Sequence, residues 1–214
     1  IGRTLPGCGV KIADDGEIWL RGNNIMRGYW RNPAATQETF DGDWFKTGDI
    51  GELDDDGFLS ITGRKKELLV TAGGKNVAPA GLEDPLRAHP LIGQVVVLGD
   101  KKPFVSALVS LDSEMLGTWL KNHGGNDKLT IEEAATDPLV LSEIQTAIDN
   151  VNKSFSTAES IRKFAVINAE LTEKSGHLTP SLKIKREAVA RDFAKEISEL
   201  YADGKGNIDR AVNF

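Results

Sequence analysis

Gly42-Asp43-Trp44-Phe45-Lys46-Thr47-Gly48-Asp49, followed after a strand and a turn by Gly63-Arg64-Lys65-Lys66-Glu67, is the stretch on which the reading of this chain turns. A carboxylate placed directly after a Thr-Gly turn can accept two hydrogen bonds from vicinal ribose hydroxyls, and a guanidinium fixed nearby can hold a phosphate. Asp49 and Arg64 are therefore candidate nucleotide-binding residues. An ordinary surface Asp in a turn and an Arg in a charge run account for the same letters, so the surrounding sequence has to decide.

Working outward, residues 1 to 62 read as short strands punctuated by Gly and Asp: Val10 to Ala13, Glu17 to Arg21, Asp49 to Leu53 and Phe58 to Ile61. This pattern predicts a small antiparallel sheet or barrel. Asp54-Asp55-Asp56-Gly57 imitates a calcium loop, but Gly63 would then stand where the bidentate Glu belongs, so a tight turn is expected. Beyond Arg64 the pattern changes. Glu67 to Val70 is strand-like, Ala72 to Lys75 is a Gly-containing loop, and Ala80 to His89 reads as a helix. The Val-rich runs Gly93 to Leu98 and Phe104 to Leu111 predict two paired strands joined by a turn at Gly99 to Pro103. Helices are expected at about Asp112 to Asn122 and Leu139 to Phe155, and one more strand at Ile161 to Ile167. A last amphipathic helix is expected from about Arg186 to Tyr201, with Val189, Phe193, Ile197 and Leu200 on one face. The polar tail from Asp203 is expected to fray.

A second segment carries chemistry: Leu178-Thr179-Pro180-Ser181-Leu182-Lys183-Ile184-Lys185-Arg186. A Pro-punctuated loop running into a basic helix start explains its shape but not its charge, because cations are disfavoured at a helix N-terminus. Such a placement invites an anionic ligand. Other phosphate signatures are not met. Gly74-Lys75 resembles the end of a P-loop, yet Leu69 occupies the first glycine position and Asn76 the Ser/Thr position. Gly7-Cys8-Gly9 opens a dinucleotide pattern whose third glycine would fall at Ile12. His89, His123 and His177 lack metal-ligand spacing and are expected at surface or loop positions, and no Ser/His/Asp set can be argued.

Composition bounds the class. The 214 residues, 40% hydrophobic and 27% charged, suit one large or two small globular units. Runs such as Val95-Val96-Val97-Leu98 fall far short of the roughly 18 to 20 apolar residues of a membrane span. A net charge of −6 disfavours nucleic acid and anionic lipid as partners of the whole surface. One cysteine, Cys8, excludes an internal disulfide framework and a cysteine-based zinc cluster, and fits a reducing, cytoplasmic setting. The chain opens on Ile1 without a signal-like segment and reads as a fragment of a longer protein.

Taken together, these segments resemble the adenylate-forming (AMP-binding) superfamily of acyl-CoA synthetases, firefly luciferases and nonribosomal peptide adenylation domains. Gly16-Glu17-Ile18-Trp19-Leu20-Arg21-Gly22 and Gly28-Tyr29-Trp30 are similar to the strand and turn before that family's Thr-Gly-Asp motif. The run from Asp43 to Pro79, including Thr71-Ala72-Gly73-Gly74-Lys75-Asn76-Val77-Ala78-Pro79, resembles the fatty acyl-CoA synthetase signature. The wording Thr-Pro-Ser-Leu-Lys-Ile-Lys-Arg at 179–186 resembles the long-chain branch.

The resemblance implies an α+β fold. A small antiparallel β-barrel subdomain at residues 1–65 would end a large AMP-binding domain. Residues 66–214 would form a mobile C-terminal domain with a small mixed sheet flanked by helices. It implies the C-terminal part of an ATP-dependent long-chain fatty acid–CoA ligase, inactive alone, that acts through acyl-AMP. A fatty acyl-AMP ligase serving a carrier protein and a noncatalytic module keeping the fold remain alternatives. By the same resemblance Asp49 takes the ribose hydroxyls, Arg64 a ribose and phosphate contact, and Lys66 the hinge. Gly73, Gly74 and Lys75 line the CoA path, and Lys183 reaches the carboxylate and α-phosphate during adenylation. ATP and CoA are the implied substrates, with Mg2+ held mainly by upstream residues and no metal ligands here. Peripheral association with a membrane stays open, as does the oligomeric state. Two departures stand out: Leu182 where many relatives carry glycine, and Val70 where many carry lysine. Lys185 competes with Lys183 for the catalytic assignment, and Arg186, three residues on, favours Lys183.

Overall fold

A computed structural model describes residues 1–202. The chain divides into two compact units, the first Ile1–Leu68 and the second beginning at Leu69. The tail expected to fray from Asp203 lies outside the described residues.

The first unit is one antiparallel sheet. Its elements are β1 (Gly9–Ile12), β2 (Glu17–Arg21), α1 (Pro33–Thr39), β3 (Phe40–Asp41), β4 (Trp44–Leu53) and β5 (Leu59–Arg64). The strand order is β1-β2-β4-β3, with β5 also paired on β4. At ten residues β4 is the longest strand; it meets β2 and β3 through its first half and β5 through its second, and the sheet curls. Register shifts mark both changes, between Glu17 and Trp19 on β2 and between Ile50 and Gly51 on β4. The turn at Asp54–Gly57 is tight, as expected. Asp54 Oδ1 accepts the N–H groups of Asp56 and Phe58, and Gly57 adopts a φ of 79°. Helix α1 was not anticipated, although Asn32-Pro33 is a start signal: Asn32 Oδ1 accepts from Ala35 N and Pro33 occupies the first turn.

The second unit is a three-stranded mixed sheet between two layers of helix. After a short 3-10 turn at Lys65–Glu67 come β6 (Leu69–Val70), β7 (Asn76–Val77), α2 (Pro79–Arg87), β8 (Ile92–Leu98) and β9 (Val105–Leu111). Then follow α3 (Ser113–Asn122), α4 (Ile131–Ala134), α5 (Pro138–Asn152), β10 (Ile161–Ile167), α6 (Arg186–Asp192) and α7 (Ala194–Leu200). β8 and β9 are antiparallel and β9 and β10 parallel, so the chain must cross over between the last two, and α3 to α5 form that crossover. All seven residues of β9 are buried. Its near-continuous apolar run follows from having both faces covered. Val95, Val97, Val105, Ala107 and Val109 point to the core under α2, α3 and α5. Val96, Leu108 and Ala165 point the other way, toward Val189 of α6 and Leu200 of α7.

Two expectations need correction here. Glu67 to Val70 is not one strand, because the 3-10 turn takes Glu67 and only Leu69–Val70 pairs with β7. The last helix is two helices, broken at Phe193, whose φ of −112° and ψ of 31° leave the helical region. Its ring lies 5.5 Å from that of His177, yet Val189, Phe193, Ile197 and Leu200 still share one core, so the apolar stripe held where continuity did not. The short α4 was also missed, although Thr130 and Glu133 form a capping box legible in the sequence.

Candidate functional site

In the first unit, Asp49 and Arg64 are direct register partners across β4 and β5. Arg64 Nε lies 3.1 Å from Asp49 Oδ1, with the Asp49 side chain 25% exposed and that of Arg64 61%. The turn ahead of Asp49 depends on Gly48, whose φ of 74° is left-handed and favours glycine. Thr47 Oγ1 donates to Ile18 O at 2.7 Å and accepts from Asp49 N at 3.0 Å, pinning the turn to β2.

Behind this turn sits Glu17, buried at 4% exposure. Its carboxylate accepts from Gly48 N at 2.8 Å, Trp19 Nε1 at 3.0 Å and Lys65 Nζ at 3.0 Å. Lys65 also pairs with Asp15 at 2.6 Å. Burial pushes the Glu17 carboxyl up, but Lys65, Trp19 and Gly48 together outweigh it and hold the group below its usual range. Asp15 is likewise lowered by Lys65, and Lys65 is raised by its two carboxylates. Glu17 thus ties the Thr-Gly-Asp turn to the residue next to Arg64. Sequence reasoning passed over it; a Glu opening a strand carries no sign that it will be buried. Lys66 follows on the exposed 3-10 turn.

In the second unit, Gly73, Gly74 and Lys75 form the tip of the β6–β7 hairpin. Thr71 closes it, donating its N–H to Lys75 O at 3.0 Å and accepting Lys75 N–H on Oγ1 at 3.2 Å. Gly74 has a φ of 78°, which favours glycine, whereas Gly73 has ordinary backbone and a Cβ there would make only an ordinary contact with Thr71 Oγ1 at 3.9 Å. The Lys75 ammonium lies 3.4 Å from Glu159, whose carboxyl is held below its usual range first by the Ser156 hydroxyl and also by Lys75.

Lys183 stands on a different loop. Leu178 and Ile184 form an isolated bridge, and within it Lys183 N donates to Thr179 Oγ1 at 3.0 Å and Thr179 N to Lys183 O at 2.8 Å. Leu182 sits at the tip with a φ of 59° and its side chain exposed. This left-handed backbone explains why a glycine suits that position. Lys183 and Lys185 are both exposed on either side of the part-buried Ile184, so burial alone does not separate them. The structure therefore brings Asp49 and Arg64 together, and sets Gly73–Lys75 and Lys183 on separate loops.

The cation at the start of α6 has an internal partner: Arg186 pairs with the buried Glu83. His177 is in a loop, one of the two placements expected of it, but is buried there, and bonds Ser175 Oγ at 2.8 Å and Asp192 Oδ2 at 3.1 Å. That Ser–His–Asp chain was not legible in the sequence. Ser175 Oγ also bonds the backbone around Thr172, which makes it a turn former. Among the described residues no group of three or more His, Cys, Asp or Glu could hold a metal ion. No described helix is long and apolar enough to cross a membrane.

The chain is 52% identical over 201 residues to the long-chain-fatty-acid–CoA ligase FadD15 of Mycobacterium tuberculosis, covering 94% of this chain and 34% of that protein. It is 36% identical over 228 residues to the long-chain-fatty-acid–CoA ligase ACSBG2 of Gallus gallus, covering 94% of this chain and 30% of that one. The chain thus spans about a third of the length of these curated relatives. Among solved structures, the O-succinylbenzoate coenzyme A synthetase MenE of Bacillus subtilis in complex with AMP superposes with a TM-score of 0.60 at 26% identity, covering 87% of this chain and 34% of that one. The adenylation domain of a Segniliparus rugosus carboxylic acid reductase shares the fold at a TM-score of 0.68 and 22% identity, over 95% of this chain and 32% of that one. Residues 66–205 match the model of the AMP-binding enzyme C-terminal domain, and the chain belongs to that family.

Proposed function

We propose that this chain is the C-terminal third of a long-chain fatty acid–CoA ligase, which converts fatty acid, ATP and CoA to acyl-CoA, AMP and pyrophosphate through acyl-AMP. The observation that carries this reading is the 52% identity maintained over 94% of the chain with a ligase of that printed activity. The Asp49–Arg64 pair supports it: a carboxylate and a guanidinium held side by side suit a ribose and its phosphate. Residues 1–65 belong on this reading to the large domain and the rest to its mobile partner, with Lys66 as the hinge. In the first half-reaction the fatty carboxylate attacks the α-phosphorus of Mg-ATP, and Lys183 neutralises the charge gathering between them. Rotation about Lys66 then withdraws Lys183 and presents Gly73, Gly74 and Lys75 to the pantetheine of CoA, whose thiol displaces AMP. The chain alone is inactive, and a cytoplasmic location fits its single cysteine.

The test is Lys183→Ala in the full-length protein. Acyl-AMP formation is abolished, while supplied acyl-AMP is still converted to thioester. Equal loss in both halves rejects the role. The same split in Lys185→Ala moves the assignment by two residues. Offering CoA and a carrier protein as alternative acceptors separates this ligase from an acyl-AMP ligase.

A further inference from the structure

We propose that Glu83 and Arg186 are positioning residues whose buried ion pair sets the reach of Lys183 by fixing the foot of its loop to α2 and β8. The inference rests on the functional reading above and deepens it. Arg186 stands three residues after Lys183, as the first residue of α6. One of its terminal nitrogens, Nη2, donates to both carboxylate oxygens of Glu83, at 2.8 and 2.7 Å, and Nη1 donates to Val97 O at 3.1 Å. Val97 N returns a bond to Glu83 Oε1 at 2.7 Å. A helix, a strand and the start of another helix are thus closed into one hydrogen-bonded ring.

The Glu83 side chain is 6% exposed and that of Arg186 27%. Withdrawing both charges from water is costly, so the pair is a poor device for stability and a good one for specifying a single arrangement. What it specifies lies just upstream. Ile184 packs on the core beneath α6, and Lys185 N donates to His177 O at 2.8 Å. Ile184, Lys185 and Arg186 are therefore anchored one after another, and Lys183 is the next residue upstream, its backbone bonded only within its own loop, to Thr179. Neutralising charge between a carboxylate and a phosphate demands placement within a fraction of an ångström, which a loop without this foot does not provide.

The experiment measures the two half-reactions separately in the full-length protein: pyrophosphate release from fatty acid and Mg-ATP, and thioester formation from supplied acyl-AMP and CoA. Glu83→Gln lowers kcat for the first on the order of 10²-fold. It leaves the second within about threefold. In a Lys183→Ala background the same change adds no further loss of pyrophosphate release, because what it misplaces is already gone. Arg186→Lys keeps the charge without the planar guanidinium and gives the same split at smaller size. Amide hydrogen exchange on the present chain supplies a readout independent of activity: Lys183 and Lys185 N–H exchange faster in both variants, and Gly74 N–H does not. Equal losses in both half-reactions, additivity with Lys183→Ala, or unchanged exchange at Lys183 overturns the positioning role. Full pyrophosphate release by Lys183→Ala alone overturns the functional reading, and the role with it.

Discussion

The two units hold their candidate residues in opposite ways. In the first, Asp49 and Arg64 face one another across a strand register, and their neighbours Gly48 and Lys65 are bonded to a single buried carboxylate. In the second, Gly73–Lys75 and Lys183 sit on exposed loops held by a few bonds each, from Thr71 in one case and from Thr179 in the other, with Glu83 fixing Arg186 at the foot of the second. Glu17 and Glu83 are the two buried acidic side chains among the described residues. Strand register cannot slip without turning every side chain to the other face, whereas a loop tip depends on a few bonds. On the proposed reading the contrast matches use: Asp49 serves both half-reactions, while each loop serves one.

The strongest way to break the comparison is to remove the first unit's anchor. Glu17→Ala strands Gly48 N, Trp19 Nε1 and part of the coordination of the half-exposed Lys65. It should cost about 2 to 3 kcal/mol of unfolding free energy in urea titration of the chain. The same cluster predicts an acid limb. Glu17 and Asp15 are depressed from ordinary values of 4.5 and 3.8, so their contribution is in place above those values and is lost as pH falls through the lower folded ones. Lys65 is raised from 10.5, so its contribution is present below that value and lost as pH rises through the folded one. Glu17→Gln should flatten the acid limb in a stability–pH profile, and an unchanged slope would remove the cluster from the account.

Asp49→Ala tests whether the paired carboxylate works in both halves. Each charge-assisted bond lost to ribose should cost about 1.5 to 3 kcal/mol, seen as a raised ATP requirement and a slower thioester step alike. A loss confined to one half would erase the contrast with the loops.

Two glycines of one hairpin sharpen the comparison. Gly74→Ala forces a side chain into a φ of 78° and should destabilise the chain by roughly 1 to 2 kcal/mol. Gly73→Ala makes only an ordinary contact, with Thr71 Oγ1, on ordinary backbone and should change stability by no more than about 0.5 kcal/mol, while slowing CoA use if a ligand passes there. Smallest of all, Leu182→Gly relieves the φ of 59° but frees the unfolded chain, so thermal stability should move by less than about 1 kcal/mol.

The sequence by itself determined the local grammar: turns at Asp54–Gly57 and Gly48, the Val-rich paired strands β8 and β9, and the apolar stripe of Val189, Phe193, Ile197 and Leu200. Asp49 and Arg64 were grouped through the resemblance to a known motif set, and the register of β4 on β5 is what puts the two side by side. Tertiary structure alone decided which charges are buried and what they hold. Nothing local to Glu17 announces a carboxylate beneath Gly48 and Lys65, since those partners arrive from 31 and 48 residues away. Glu83 meets Arg186 across 103 residues, and that meeting gives the first cation of α6 an internal carboxylate. His177 is buried for the same reason, by Asp192 and Phe193 folding back on it. Periodicity and turn chemistry act over a few residues, whereas desolvation depends on everything packed around a group.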